Sequence, residues 1–285
     1  MVFWFDVSAL HLVQQFANPL LDIFFLAVTE LGNPLFWLFI AAFIYWQGKE
    51  DDSFFIVNLI TFSAAISGML KFGVARPRPD ASEFRVIARG IMMHSFPSAH
   101  ATLAASAYGY FSAGSKILRR LALALLVLLV AVSRIYLGAH FLTDVLAGLL
   151  IGYAIGKANF LLKQRLKGAK FRLTKIGDEL GLVVAVAAAV AAIVFVQPMS
   201  IAQGIFGFYA GFFAFKYFGQ PQCGGKCMHP ALKHGIGAIG LCALVLPAYS
   251  GMLGNALLDG LLYFLAGLWI SFLWPLLSSG IRRRE

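Results

Sequence analysis

An all-α, polytopic membrane protein is the fold class this sequence predicts, and three features predict it. Of its 285 residues, 60% are apolar and only 13% are charged, about half the charge of an ordinary soluble domain. Mean hydropathy is +0.80. The apolar residues gather into runs separated by polar or glycine-rich breaks, and many approach the roughly 20 residues that cross a hydrocarbon core of about 30 Å. This balance excludes a water-soluble enzyme, a disordered tail and a coiled coil. The formal charge of +10 would suggest nucleic acid in a soluble protein; here the basic residues orient the chain.

The first stretch, Phe3 to Leu31, is interrupted by Asp6, His11, Gln14, Gln15, Asp22 and Glu30. It reads as an interfacial amphipathic helix and sets apart an N-terminal segment over 1–32. The opening residues MVFWFDVSALH have neither the basic start nor the small-residue cleavage site of a signal peptide. Asn33 then caps a helix that begins at Pro34. Nine apolar runs follow, at 34–47, 54–72, 99–114, 120–137, 142–160, 180–196, 201–218, 234–250 and 256–275, and predict nine transmembrane helices, the first and third short. They divide the chain into a core over 33–160, a basic loop over 161–179 and C-terminal membrane helices over 180–285. No internal repeat of the kind that builds transporters is visible.

With nine spans the loops alternate between two sides. One side receives 17 of the 23 basic residues: Lys49, Lys116, Arg119, Arg120, the block from Lys157 to Lys175, Lys216, Lys226, Lys233 and Arg282 to Arg284. The positive-inside rule makes that side, and the C-terminus, cytoplasmic. The other six, Lys71, Arg76, Arg78, Arg85, Arg89 and Arg134, lie in or beside two loops on the opposite face of what is read as a plasma (inner) membrane. That face is periplasmic, extracellular or lumenal. These six oppose the rule and need a separate reason.

The two loops supply it. The first carries Lys71-x6-Arg78-Pro79 and ends in Pro97-Ser98-Ala99-His100 at a helix start; the second carries Ser133-Arg134-x5-His140-x3-Asp144. Lys71, Arg78 and Arg134 offer positive charge to a tetrahedral dianion, with arginine able to bind two oxygens at once. Ser98 stands where a helix N-terminus presents free N–H groups to an anion. His140 and Asp144, four apart, share one helix face. A carboxylate behind an imidazole sets its tautomer and stabilises its cation, which suits His140 as a nucleophile, and His100 is then the candidate proton donor.

These three segments resemble the signature of the type 2 phosphatidic-acid phosphatase superfamily, which includes glucose-6-phosphatases, sphingosine-phosphate phosphatases and vanadium haloperoxidases. The resemblance covers about residues 33–160, and the helix layout is similar to the nine-span branch with the glucose and sphingosine phosphatases. It implies hydrolysis of a phosphomonoester or diphosphate through a phosphohistidine: His140 attacks phosphorus, supported by Asp144; His100 donates the proton; Lys71, Arg78, Ser98, the Ala99 N–H and Arg134 hold the phosphoryl oxygens. It implies no metal and no cofactor. A lipid substrate fits helix ends near the interface, and a polyprenyl diphosphate, phosphatidylglycerol phosphate, phosphatidic acid and a sphingoid phosphate are the candidates. Two alternatives stand beside hydrolysis: a phosphotransferase that passes the phosphoryl group to a second lipid, and a transporter, which has no need of the His140–Asp144 dyad. The second segment usually reads Pro-Ser-Gly-His, and Ala99 replaces the glycine. Alanine serves equally if position 99 is an ordinary helical residue.

The remaining features carry weaker signals. Arg76, Arg85 and Arg89 are solvated loop charges or recruit an anionic head group, His94 is a candidate for the pocket wall, and Asp80 and Glu83 read as a solvated turn. Cys223, Cys227 and His229 resemble a zinc knuckle, with His234 the nearest fourth ligand, against reduced thiols in a cytoplasmic loop. The six basic residues from Lys163 to Lys175 read as an anchor to anionic lipid. Gly204, Gly207 and Gly211 form a small-residue packing face for a neighbour in the same chain or in a second copy.

Overall fold

The computed structural model describes residues 3–88, 93–168, 199–218 and 228–278, and all regular structure among them is helical. In chain order the helices are α1 (Trp4–Gln14), α2 (Pro19–Thr29), a 3-10 turn (Glu30–Gly32), α3 (Pro34–Trp46), α4 (Glu50–Val74), α5 (Ala99–Phe111), α6 (Ile117–Tyr136), α7 (Leu142–Gly168), α8 (Met199–Phe218), α9 (Pro230–Tyr249), α10 (Ala256–Leu268), a π turn (Trp269–Leu273) and α11 (Trp274–Ser278). Eight of the nine predicted runs are thus helical; the run at 180–196 lies outside the described residues, as do Arg89, Cys223 and Cys227.

The described residues bear out several of the nine predicted spans and do not confirm nine. Among the described residues four stretches are long and apolar enough to cross a membrane, Glu50–Val74, Leu142–Arg165, Pro230–Tyr249 and Ala256–Ser278, and a fifth is added if the bent pair α1 and α2 is one broken span. The protein is a multi-pass membrane protein with four or five such helices described. Length and charge account for the difference. With 13 residues each, α3 and α5 reach only about 20 Å at about 1.5 Å per residue. Helix α6 carries Arg119, Arg120 and Arg134, while Gln203, Lys216 and three glycines lower the hydropathy of α8.

Two compact units divide the chain, one holding Met1–Trp37 with Asn58–Lys170, the other Leu38–Val57 with Phe171–Glu285. In the first, the single N-terminal helix expected from the sequence is two. Pro19 opens α2, Asn18 Oδ1 accepts from the Leu21 N–H at 3.0 Å, and α1 and α2 diverge by 119°. Helix α1 is docked: Leu10 is fully buried with Phe84, Ala101, Ala131, Ile135, Phe141 and Val145. Asn33 Oδ1 accepts from the Leu35 N–H at 2.9 Å, the cap predicted for α3.

The closest packing in this unit is α5 against α7. A Cβ added at Gly152 would stand 2.1 Å from the Thr102 carbonyl oxygen, and one at Gly156 would stand 2.0 Å from that of Ser106. Gly148 meets the Ser98 carbonyl in the same way at 2.8 Å, and from the other helix Gly109 meets that of Tyr153 at 2.7 Å. This is backbone on backbone, the close approach that small residues permit between membrane helices.

In the second unit Gly204, Gly207 and Gly211 are the packing face the sequence suggests, and their partner lies in the same chain. Gly207 meets the Phe264 carbonyl and Gly211 meets Ser271. The π turn leaves backbone acceptors that aromatic donors take: Trp46 Nε1 donates to the Ile270 carbonyl at 3.1 Å and the Tyr45 hydroxyl to that of Ser271 at 2.8 Å. In a membrane such acceptors have no water to turn to.

Gly152→Ala should force α5 and α7 apart at a cost of about 1–3 kcal/mol, the scale of overpacking, seen as a lower melting temperature in detergent. Gly235→Ala, on α9 with no atom within 4 Å of the added carbon, should leave melting unchanged or raise it. Equal behaviour of the two variants would refute the backbone contact as the cause.

Candidate active site

All eight sequence-predicted site residues fall within the first unit. Lys71 ends α4 and is buried. Its ammonium donates to the carbonyls of His94 (3.1 Å), Ser95 (3.0 Å) and Pro97 (2.7 Å), so it also ties down the loop that leads into α5. For His94 the group in use is therefore the carbonyl. Beyond Lys71 the chain turns at Ala75, whose φ of +48° is the only positive value at a non-glycine among the described residues, a conformation that costs about 1–2 kcal/mol.

Ser98 is the N-cap of α5 and Ala99 its first residue. The serine Oγ is buried without a hydrogen-bond partner, available to a ligand rather than spent on capping. Its N–H donates to the Asp144 carbonyl at 3.0 Å. Since φ at Ala99 is not positive, alanine replaces the usual glycine there without strain. The next residue, His100, packs its backbone and Cβ on Gly32, where an added Cβ would meet both at 2.9 Å. It stands within electrostatic reach of Arg134, His140, Arg78 and Lys71.

Helix α6 ends in a Schellman motif, Ala139 N–H to the Arg134 carbonyl at 3.1 Å and Gly138 N–H to that of Ile135 at 3.0 Å. Gly138 has φ +69°, and a Cβ there would lie 2.3 Å from the Arg85 carbonyl oxygen. The turn carries the chain from Arg134, whose Nη1 donates to Thr29 Oγ1 at 2.7 Å, to the buried His140. That imidazole has Nδ1 3.6 Å from Asp144 Oδ2 and Nε2 3.5 Å from Arg78 Nη1, which donates to the Ala139 carbonyl at 2.8 Å. Burial first, then the charges of Arg134, Lys71 and Arg78, hold the pKa of His140 well below the ordinary histidine range, so the ring is neutral at pH 7.

Asp144 is fully buried in the first turn of α7, where Oδ2 accepts from the Phe141 N–H at 2.9 Å. Oδ1 accepts from Arg76 Nη1 at 2.7 Å. Arg76 is thus neither a solvated charge nor a lure for head groups: it is 4% exposed and pairs with Asp144 and, at 2.5 Å, with Asp6 of α1. Asp6 in turn accepts from the Thr143 N–H at 2.8 Å and its hydroxyl at 2.9 Å. Arg85 is partly exposed and forms a two-pronged ion pair with Asp22, which ties the loop to α2. Asp80 and Glu83 are exposed, with Asp80 Oδ1 accepting from the Ser82 N–H, the solvated turn expected. Sequence reasoning missed Asp6, Thr29, Gly138 and Thr143. Gly138 alone had a local signal, a glycine just past a helix end.

Two histidines, one beside a carboxylate, thus lie with the buried Lys71 and Arg134 at helix ends and the half-buried Arg78 of the loop, in a helical membrane protein. Residues 53–167 match the PAP2 superfamily profile. Phosphatidylglycerophosphatase B of Bacillus subtilis is 30% identical over 154 residues, covering 47% of this chain and 71% of that protein. A dihydrosphingosine 1-phosphate phosphatase of Schizosaccharomyces pombe is 29% identical over 166 residues, covering 53% of this chain; the match spans only 40% of that longer protein. The crystal structure of a transmembrane PAP2 type phosphatidylglycerolphosphate phosphatase from Bacillus subtilis shares the fold, with a TM-score of 0.50 at 24% identity over 59% of this chain and 87% of that one. The chain belongs to the PAP2 superfamily.

Gly138→Ala should cost at least about 1–2 kcal/mol through its left-handed backbone alone, measured as a fall in melting temperature in detergent. A wild-type melting temperature would mean that the Arg85 carbonyl yields freely.

Proposed function

We propose that the protein is a membrane phosphatase that hydrolyses a phosphomonoester or diphosphate of a lipid, on the non-cytoplasmic side, through a phosphohistidine. One observation carries the reading: a neutral, buried His140 has one ring nitrogen toward Asp144 and the other toward Arg78. Nδ1–H facing the carboxylate leaves the Nε2 lone pair for phosphorus. Nε2 attacks, the phosphorus–oxygen bond to the lipid breaks, and His100, whose cation the bound phosphoryl dianion favours, gives its proton to the departing oxygen. Water, deprotonated by His100, then attacks the phosphohistidine; the phosphorus–nitrogen bond breaks and phosphate leaves. Arg78, Arg134, the Ser98 hydroxyl and the Ala99 N–H hold the phosphoryl oxygens, while Lys71 adds its charge from the loop it anchors. The buried, unpartnered Ser98 Oγ and Arg134 Nε support this, being donors that a phosphoryl oxygen would satisfy.

The names of the relatives, which act on phosphatidylglycerophosphate and on a sphingoid phosphate, support a lipid substrate. The charge asymmetry supports a cytoplasmic C-terminus and the site on the opposite face; with the run 180–196 and the shorter helices as further spans, nine crossings give both.

Purified protein should release phosphate from at least one member of a panel of prenyl diphosphates, phosphatidic acid, phosphatidylglycerol phosphate and sphingoid phosphates, and should do so in EDTA. His140→Ala should lower that rate by at least about 10³-fold, as loss of a nucleophile does, with unchanged melting. A metal requirement, or full activity without His140, would overturn the mechanism, and phosphate passed to an added lipid instead of water would make the enzyme a transferase.

For sidedness, cysteine in place of Ser82 or Glu83, in a chain stripped of its native cysteines, should react with an impermeant thiol reagent in intact cells. Cysteine at Lys167 should react only after the membrane is opened. Labelling of position 167 from outside would move the site to the cytoplasm.

A further inference from the structure

Asp6 lies outside residues 53–167, the part matched to the family, yet it reaches the centre of the site. Its carboxylate is fully buried and accepts from four groups at once: Arg76 Nη2 at 2.5 Å, the Thr143 N–H at 2.8 Å, the Thr143 hydroxyl at 2.9 Å and, beside α1, the Phe3 N–H at 3.2 Å. The Thr143 N–H is one of the donors that the first turn of α7 leaves without an intrahelical acceptor. A carboxylate from α1 therefore caps the helix that carries Asp144. The same carboxylate shares Arg76 with Asp144, since the guanidinium gives Nη2 to one acid and Nη1 to the other.

Charge makes the sharing matter. One guanidinium between two carboxylates leaves a net negative charge, and His140 Nδ1 stands 3.6 Å from Asp144 Oδ2. Without Asp6, Arg76 would neutralise Asp144 alone, and the imidazole would lose the charge that supports its cationic and phosphorylated states.

We propose that Asp6 is a positioning residue for the His140–Asp144 dyad, acting through Arg76 and the first turn of α7 so that Asp144 keeps its negative charge toward His140. The proposal rests on the phosphohistidine reading, in which that dyad performs the reaction. The other groups facing His140 are all basic or neutral: Lys71 from α4, Arg78 from the loop, His100 from α5 and Arg134 from α6. Among the described residues no second carboxylate acts on His140 to make up for a neutralised Asp144.

Asp6→Asn keeps the shape and removes the charge. It should lower kcat roughly 10- to 100-fold, the scale on which outer partners of a working group act, with little change in KM. The acid limb of the pH–rate profile should move to lower pH, because His140 then loses its proton more readily. Adding Arg76→Met removes the excess cation and leaves Asp144 ionised and unshared, so the double variant should regain most of the lost kcat and the wild-type limb. A merely structural pair would behave in the opposite way, the second substitution deepening the loss. Should Asp6→Asn fail to fold, the double variant, which leaves no unpaired guanidinium between α1 and the loop, carries the test alone: low kcat with intact melting refutes the proposal. Wild-type kcat and pH profile in Asp6→Asn also refute it. His140→Ala in the same assay separates the two claims, since an active His140→Ala overturns the phosphohistidine reading itself.

Discussion

A guanidinium almost shut off from water, that of Arg76, is the constraint on which the first unit depends. Removing a partner from such a buried ion costs about 3–5 kcal/mol, so the chain must deliver both acids to it together. Asp6 comes from α1, Asp144 from the first turn of α7, and the cation itself from the turn after α4. Phe141 covers its face, with the guanidinium carbon 4.7 Å from the ring centre. Three elements far apart in sequence are thereby held to one point, and the N-terminal helix becomes part of the site's foundation.

Around that point the same cations that are proposed to hold the ligand also hold the fold. Lys71 closes the 94–97 segment with three carbonyl contacts, and Arg78 holds the Ala139 carbonyl beside His140. Arg134 is fixed by Thr29 from α2 while its Nε keeps no partner. Such anchoring removes the side-chain freedom that a long cation otherwise loses when it meets a ligand. A site built this way has its positive field in place before any anion arrives, the condition under which fixed charges act most strongly.

Much of this was legible in the sequence and some of it was not. The helix repeat sets His140 beside Asp144 and the helix start sets Ser98 at an N-cap, whereas Lys71, Arg78, His100 and Arg134 were singled out by their chemistry and by the resemblance of their segments to a known signature. The helical runs were equally plain. The number of crossings was less plain, because hydropathy marks an apolar run but not whether it reaches across: α3 and α5 are apolar and only 13 residues long. Arg76 looked like a loop charge because its partner is 70 positions away. Asp6 looked like the polar stripe of a surface helix, which periodicity cannot tell from a single inward carboxylate. The glycines at 148, 152 and 156 were passed over while those at 204, 207 and 211 were noticed, although both sets do the same work.

The contact between α5 and α7 has a bearing on how such a protein diversifies. Where main chain lies against main chain there are no side chains to exchange, so the wall bearing Ser98 and Asp144 cannot be remodelled one residue at a time without prying the helices apart. The other groups around the site come from elements of a different kind: Thr29 from α2, Gly32 from the turn after it, and residues 76–88 and 93–98 present side chains and loop backbone. Variation around such a site is therefore channelled away from the α5–α7 contact, which stays conservative for mechanical reasons.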